Sequence, residues 1–275
     1  MSYAWMRLGI IMVGCWVVSV SAQTPEENLL QATFKVFNKD SCATGFLLND
    51  MSPDASPTNV ILVTANHVFQ KATGDSILLV CRIPDDEEGW KRFDHEVMIR
   101  NGADALWTAH PTQDVAVLRC MLPPDAKFFA LPRIAIANEA GALASGLTVG
   151  SRLFYFGFPA QMEANAAAFP LFREALLTAY PLFPVSRYPT LFMTAPTFAG
   201  DSGAPVAMRQ PETSIPLIAG LVVTRTHKND VFANDDWNIT FKRDLNLGSF
   251  VQAEYIQETL DLLNQVPAGA EASGE

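Results

Sequence analysis

Short apolar runs, separated by clusters of turn-forming residues, recur along most of the chain. In the first half, β-branched or alternating stretches at 29–37, 42–48, 60–64, 77–82, 93–100, 105–109 and 115–120 predict strands. Asn38-Lys39-Asp40 reads as a turn, and 49–59 as a loop rich in Asp, Ser and Pro. A short helical turn is expected to begin at His67. The stretch from Pro123-Pro124 to Ala144 reads as a connector. In the second half, strands are expected at 152–158, 191–195, 204–208, 217–224 and 249–250. The pattern of 173–180 fits helix or strand. Residues 253–263 read as an amphipathic helix, and 266–275 as a frayed small-residue tail. Many short strands with Gly and Pro turns and one terminal helix predict an all-β fold.

Composition narrows the class. The 275 residues are 49% hydrophobic and 17% charged, which describes a core-forming chain. The net charge is −10 without a long basic run, which argues against nucleic acid as a partner. Leu8 to Val18 is almost wholly apolar, with Arg7 before it and Val20-Ser21-Ala22 after it. That is the pattern of a secretory signal peptide over 1–22, cut near Gln23. The expected location is secreted or periplasmic, with no stable membrane insertion after cleavage. The apolar run is short for a membrane span. Met12-Val13-Gly14-Cys15 partly fits a lipoprotein box, so a lipid anchor at Cys15 is an alternative. Beyond the leader, Cys42, Cys81 and Cys120 cannot all pair with one another. Cys81 and Cys120 each close an apolar strand, and both a bridge and free thiols fit them. No Cys/His cluster has zinc spacing, so neither a metal nor another cofactor is expected.

Three stretches carry candidate chemistry. In Ala199-Gly200-Asp201-Ser202-Gly203-Ala204-Pro205 a serine lies between glycines. Glycine lets the backbone turn sharply and a carbonyl approach closely. By itself the string also fits an ordinary turn. Ile61-Leu62-Val63-Thr64-Ala65-Asn66-His67 ends an apolar strand on a histidine. Thr112-Gln113-Asp114-Val115-Ala116-Val117-Leu118 opens a strand with an aspartate. The order is His, Asp, Ser. The other histidines, His95, His110 and His227, lack such frames and read as surface or rim residues.

These blocks resemble the signature blocks of trypsin/chymotrypsin-like serine proteases, in wording closest to the bacterial trypsin-like and HtrA-type branch. The resemblance runs from about Leu30 to Leu263, with too little chain after Phe250 for a PDZ domain. It implies two packed six-stranded β-barrels with a C-terminal helix, within a protease domain at 23–265. The first barrel would cover about 28–122 and the second about 145–250. It favours a strand at 173–180. It implies a serine endopeptidase acting on polypeptide, with His67, Asp114 and Ser202 catalytic and the Gly200 and Ser202 N–H groups forming an oxyanion hole. The segments Pro196–Ala199 and Val223–Arg225 would shape the pocket for the residue before the scissile bond. There Thr197, Val223, Thr224 and Arg225 are the candidate substrate contacts. No acidic residue lies in those segments, so a preference for Arg or Lys is not implied. Gly220 to Arg225 would offer its main chain as an edge to which substrate adds as a strand. In zymogen-activated relatives the residue at Asp201 pairs with a new N-terminus, and no suitable start is found near Gln23. A catalytically inactive binding module and a serine esterase are the alternatives.

Overall fold

The structure is a computed structural model. It describes residues 23–265 apart from 39–40, 54, 88 and 234–237, and the side chains of 224–229, 233, 238 and 242–244 are outside the described set. The leader expected at 1–22 and the tail at 266–275 lie outside the described residues.

The chain opens with α1 (Pro25–Ala32), where the sequence pattern suggested that a strand had begun by Leu29. Local chemistry explains the helix. Thr24 and Glu27 form a reciprocal capping box, and Pro25 occupies the first turn. The far end is closed by Arg82, which donates to the carbonyls of Leu30, Gln31 and Thr33. A cation there complements the helix dipole. Burial lowers the Arg82 pKa to about 10.

The strands that follow are β1 (Thr33–Asn38), β2 (Ser41–Asn49), β3 (Asn59–Thr64), β4 (Ser76–Asp85) and β5 (Gly89–Met98). The helix α2 (Asn66–Gln70) lies between β3 and β4. Then come β6 (Arg100–Asn101), β7 (Asp104–Ala105), β8 (Thr108–Ala109) and β9 (Ala116–Met121). These make an antiparallel sheet in the order β5-β4-β1-β2-β3-β9-β8, with β6 and β7 paired separately. The two-residue β8 adds one strand to the six expected. The connector holds α3 (Glu139–Ala144). The second sheet contains β10 (Arg152–Gly157), β11 (Leu171–Leu176), β12 (Thr190–Met193), β13 (Pro205–Met208), β14 (Leu217–Ala233) and β15 (Asn238–Gln252). Its order is β11-β10-β13-β14-β15-β12, and α4 (Glu254–Gln265) closes the chain. The whole is all-β, two packed antiparallel sheets of seven and six strands with a C-terminal helix.

Packing explains the unbroken apolar runs. Along β3, Val60 and Leu62 enter the first barrel's own core, while Ile61 and Val63 join the core shared with the second. On β2, Leu47 faces the first of these, and Phe46 and Leu48 face the other. A strand buried on both faces has no reason to alternate. At the edge, β5 is largely exposed and reads polar. Cys42, Cys81 and Cys120 are free thiols, and in sheet order three strands separate β4 from β9. Burial pushes the Cys81 and Cys120 thiols up to about 12 and the Cys42 thiol up to about 11.

Candidate active site

The loop 199–205 precedes β13 and leans on both sheets. Gly200 has φ +103 and Gly203 φ +87, both in the left-handed region. A Cβ on Gly200 would fall onto the carbonyl oxygen of Phe158, and one on Gly203 onto the Thr44 carbonyl and the Thr64 hydroxyl. Only glycine fits either place. Gly203 thereby lets the loop settle on β2 and β3. There Thr44 N donates to Ser202 O at 2.9 Å, and Thr44 Oγ1 to Gly200 O at 2.7 Å. Thr64 Oγ1 donates to Thr44 O at 2.7 Å, so the end of β3 is tied to the same cluster. On the other side, Gly203 N donates to Val222 O at 2.7 Å and Val222 N to Ala204 O at 2.9 Å.

Three residues beyond Thr64, the turn into α2 presents His67. Its Nδ1 lies 2.6 Å from Asp114 Oδ2, and its backbone N donates to Asp114 Oδ1 at 2.8 Å. Burial pushes the Asp114 carboxyl up, but the hydrogen bonds and charge of His67 outweigh it and hold it below the usual range. Asp114 thus remains ionised where a free carboxylate would take up a proton.

The turn that carries Asp114 is itself held by His110, which the sequence pattern placed at the surface. The structure buries it instead, at 7% exposure. Its Nδ1 accepts from Gln113 N at 3.0 Å and Thr112 N at 3.2 Å. With Nδ1 an acceptor, the ring hydrogen sits on Nε2, which donates to Glu258 on α4 at 2.8 Å. The Tyr255 ring packs edge-on against His110, 5.1 Å away. The C-terminal helix therefore reaches the Asp114 turn through one imidazole. No neighbouring residue in the sequence signals that partner, because Glu258 is 148 positions away. His110→Phe keeps the ring contact but strips two backbone N–H groups of their acceptor, which should cost about 1–2 kcal/mol. Calorimetry should find Tm lowered by several degrees. An unchanged Tm would show that the turn holds itself.

Asp201 has found a partner inside the chain. It is fully buried and forms an ion pair with Arg173 on β11. Its other oxygen accepts from Phe198 N at 2.7 Å. Arg173 also donates to Pro196 O at 3.3 Å and stacks over Tyr155 at 4.4 Å. Gly157 leaves room for the pair, since a Cβ there would stand 2.7 Å from Asp201 Oδ1. Burial raises the Asp201 carboxyl, and Arg173 and the Phe198 N–H offset this only in part.

The N–H groups of the loop divide into two sets. Asp201 N donates to Phe198 O, Gly203 N to Val222 O and Ala204 N to Asp201 O. Among the described residues, Gly200 N and Ser202 N have no acceptor, and no hydrogen bond joins Ser202 Oγ to His67 Nε2. Thr197 is buried, and its methyl fills the space a side chain at Gly248 would need. Gly248 pairs with Arg225 across the β14–β15 hairpin. Val223 is half-buried against the shared core. The Thr224 and Arg225 side chains lie outside the described residues. A separate hollow of about 510 Å³, lined by Ile134, Asn138, Thr213 and Gln257 among others, contains none of these residues.

No family model matches the chain, and no curated protein matches it. Among solved structures it is similar to Rv3671c from M. tuberculosis H37Rv, a serine-to-alanine mutant in an inactive form. The identity is 16%, over 88% of this chain and 91% of that chain, with a TM-score of 0.48.

Proposed function

We propose that this chain is a serine endopeptidase that hydrolyses peptide bonds through an acyl-enzyme on Ser202. The observation that carries the reading is the pair of N–H groups without acceptors, Gly200 and Ser202, flanking a buried aspartate in a loop tied to the strand before His67. Two such donors suit a developing oxyanion and would each lower the barrier by roughly 3 kcal/mol. His67 Nε2 takes the proton from Ser202 Oγ as that oxygen attacks the scissile carbonyl. The imidazolium then gives the proton to the leaving amine as the C–N bond breaks. Water, deprotonated by the same nitrogen, releases the acid and regenerates the serine. Asp114 fixes the His67 tautomer and stabilises its charged form. The Ser202–His67 hydrogen bond is one that free enzymes commonly tighten only with substrate in place.

Thr197, Val223, Thr224 and Arg225 contact the residue before the scissile bond, and the Gly220–Arg225 main chain holds substrate as an added strand. The domain spans 23–265, with its barrels at about 28–122 and 145–250. Residues 1–22 direct the chain out of the cytoplasm, and among the described residues no helix is long and apolar enough to cross a membrane. A fluorophosphonate probe, run beside unstructured peptides and a small activated ester, tests the reading. Covalent labelling of Ser202 with peptide turnover is expected. Labelling with ester turnover alone would make it an esterase. No labelling would leave an inactive binding module.

A further inference from the structure

The hairpin of β14 and β15 runs well past the barrel. β13 pairs with β14 only from Leu217 to Leu221, and β12 with β15 only from Gly248 to Val251. Beyond those limits, among the described residues, the two strands pair with each other alone, as far as Ala233↔Asn238. Register shifts at Val222/Thr224 and Arg225/His227 mark the root of this ribbon. Shifts of this kind bend a strand and commonly sit beside active sites.

Cross-strand partners share a face, and faces alternate along each strand. Phe232 pairs with Ile239, and Asp230 with Phe241, so Phe232, Ile239 and Phe241 occupy one face, which Asp230 shares. The Phe232 and Phe241 rings meet edge-on at 5.8 Å. These three side chains are 56%, 45% and 56% exposed. Large apolar groups on a two-stranded ribbon, itself marginal in water, call for a cover.

We propose that this face is an exosite for the polypeptide substrate, engaged ahead of the scissile bond. The proposal rests on the protease reading and names its substrate class. Its main support is continuity. β14 touches the nucleophile loop through Val222 and then runs on toward Phe232, and past Leu221 no described strand pairs along its outer edge. Eight positions separate Thr224 from Phe232. At about 3.3 Å per residue that is roughly 26 Å, the reach of about eight extended substrate residues. A substrate strand added to β14 would lay its upstream side chains along the apolar face. The preferred substrate is therefore an unfolded polypeptide with large apolar side chains about eight to ten residues before the cleaved bond. A second copy on that face would bring together two chains of net charge −10, which self-repulsion opposes.

The test uses fluorescent peptides with one cleavage sequence and upstream extensions of about four, eight and twelve residues. The distal part of each extension is either Leu/Phe-rich or Ser/Gln-rich. The readout is the ratio of long to short kcat/KM in the parent and in Phe232→Ser/Phe241→Ser. The parent ratio should rise about tenfold once apolar residues reach the eighth position, and fall to near one in the variant. A ratio that ignores length or composition, or that survives the variant, would overturn the exosite. Binding of the same peptides to Ser202→Ala, followed by anisotropy, reads the exosite without catalysis. If the parent cleaves nothing yet the long apolar peptides bind about tenfold tighter, the protease reading fails and the binding face stands. If the variant instead converts a dimer to a monomer in light scattering, the occupant is a second copy and the proposal fails.

Discussion

Ser202→Ala is expected to abolish fluorophosphonate labelling and to lower peptide turnover by up to ~10⁶-fold, with Tm essentially unchanged. The size follows from the roles assigned to one oxygen. In the proposed reaction it is the nucleophile, it forms the acyl bond, and its proton is the one His67 would carry to the leaving group. Its removal should disturb little of the fold, because Ser202 is held by its carbonyl, which accepts from Thr44 N. Replacing His67 as well should add little if the two residues act as the proposed unit. Labelling that persists in Ser202→Ala would place the chemistry on another residue. A large fall in Tm would mean that the hydroxyl is structural. Rates and melting curves on the same preparations separate these outcomes.

Arg173→Met should be the most damaging change away from the nucleophile. It leaves the Asp201 carboxylate fully buried without its cation. Breaking a buried pair from one side typically costs about 3–5 kcal/mol. For a chain of this size that is a fall in Tm of about 10 °C. The loop must then reshape around Asp201, and Gly200 and Ser202 go with it. Labelling by the probe should slow about 10²–10³-fold, the loss expected when an oxyanion donor is misplaced.

The pH dependence has a definite sign. Burial already raises the Asp201 carboxyl, and loss of Arg173 raises it further. A carboxyl raised on folding favours the native state fully below its unfolded pKa, and that favour is lost as pH rises through the folded value. The Tm deficit of Arg173→Met should therefore be larger at neutral pH than in acid. Arg173→Met/Asp201→Asn removes the buried charge and should recover much of the stability. A single variant that melts within ~2 °C of the parent at neutral pH would show that the pair is not what holds the loop.

The site was legible where chemistry is written in adjacent residues. The serine between glycines, the histidine at the end of 60–64 and the aspartate at the mouth of 115–120 each carry a local frame. The strand runs were legible for the same reason, because burial of both faces leaves 46–48 of β2 and 60–63 of β3 without polar interruptions. The ribbon was not. Its segments Thr226-His227-Lys228-Asn229-Asp230 and Lys242-Arg243-Asp244 carry too little apolar alternation to announce strands. They pair because the hairpin they extend is already anchored in the barrel. The first helix was missed because its capping box lies just ahead of an apolar run that reads as strand.

What the sequence by itself determined is the set of short-range choices: which runs bury both faces, where only glycine can turn, and which residues can carry a proton. What only the tertiary structure decided is which distant groups meet. Arg173 lies 28 positions from Asp201, Glu258 lies 148 from His110, and Thr44 lies 156 from Gly200. In each of these pairs one member, Asp201, His110 or Thr44, is a buried polar group that must find a partner once water is excluded. A sequence shows that the need exists, but closure of the two barrels determines who meets it. The same closure places Gly203 against Thr44 and Thr64, which brings a loop of the second barrel onto the strand before His67 in the first.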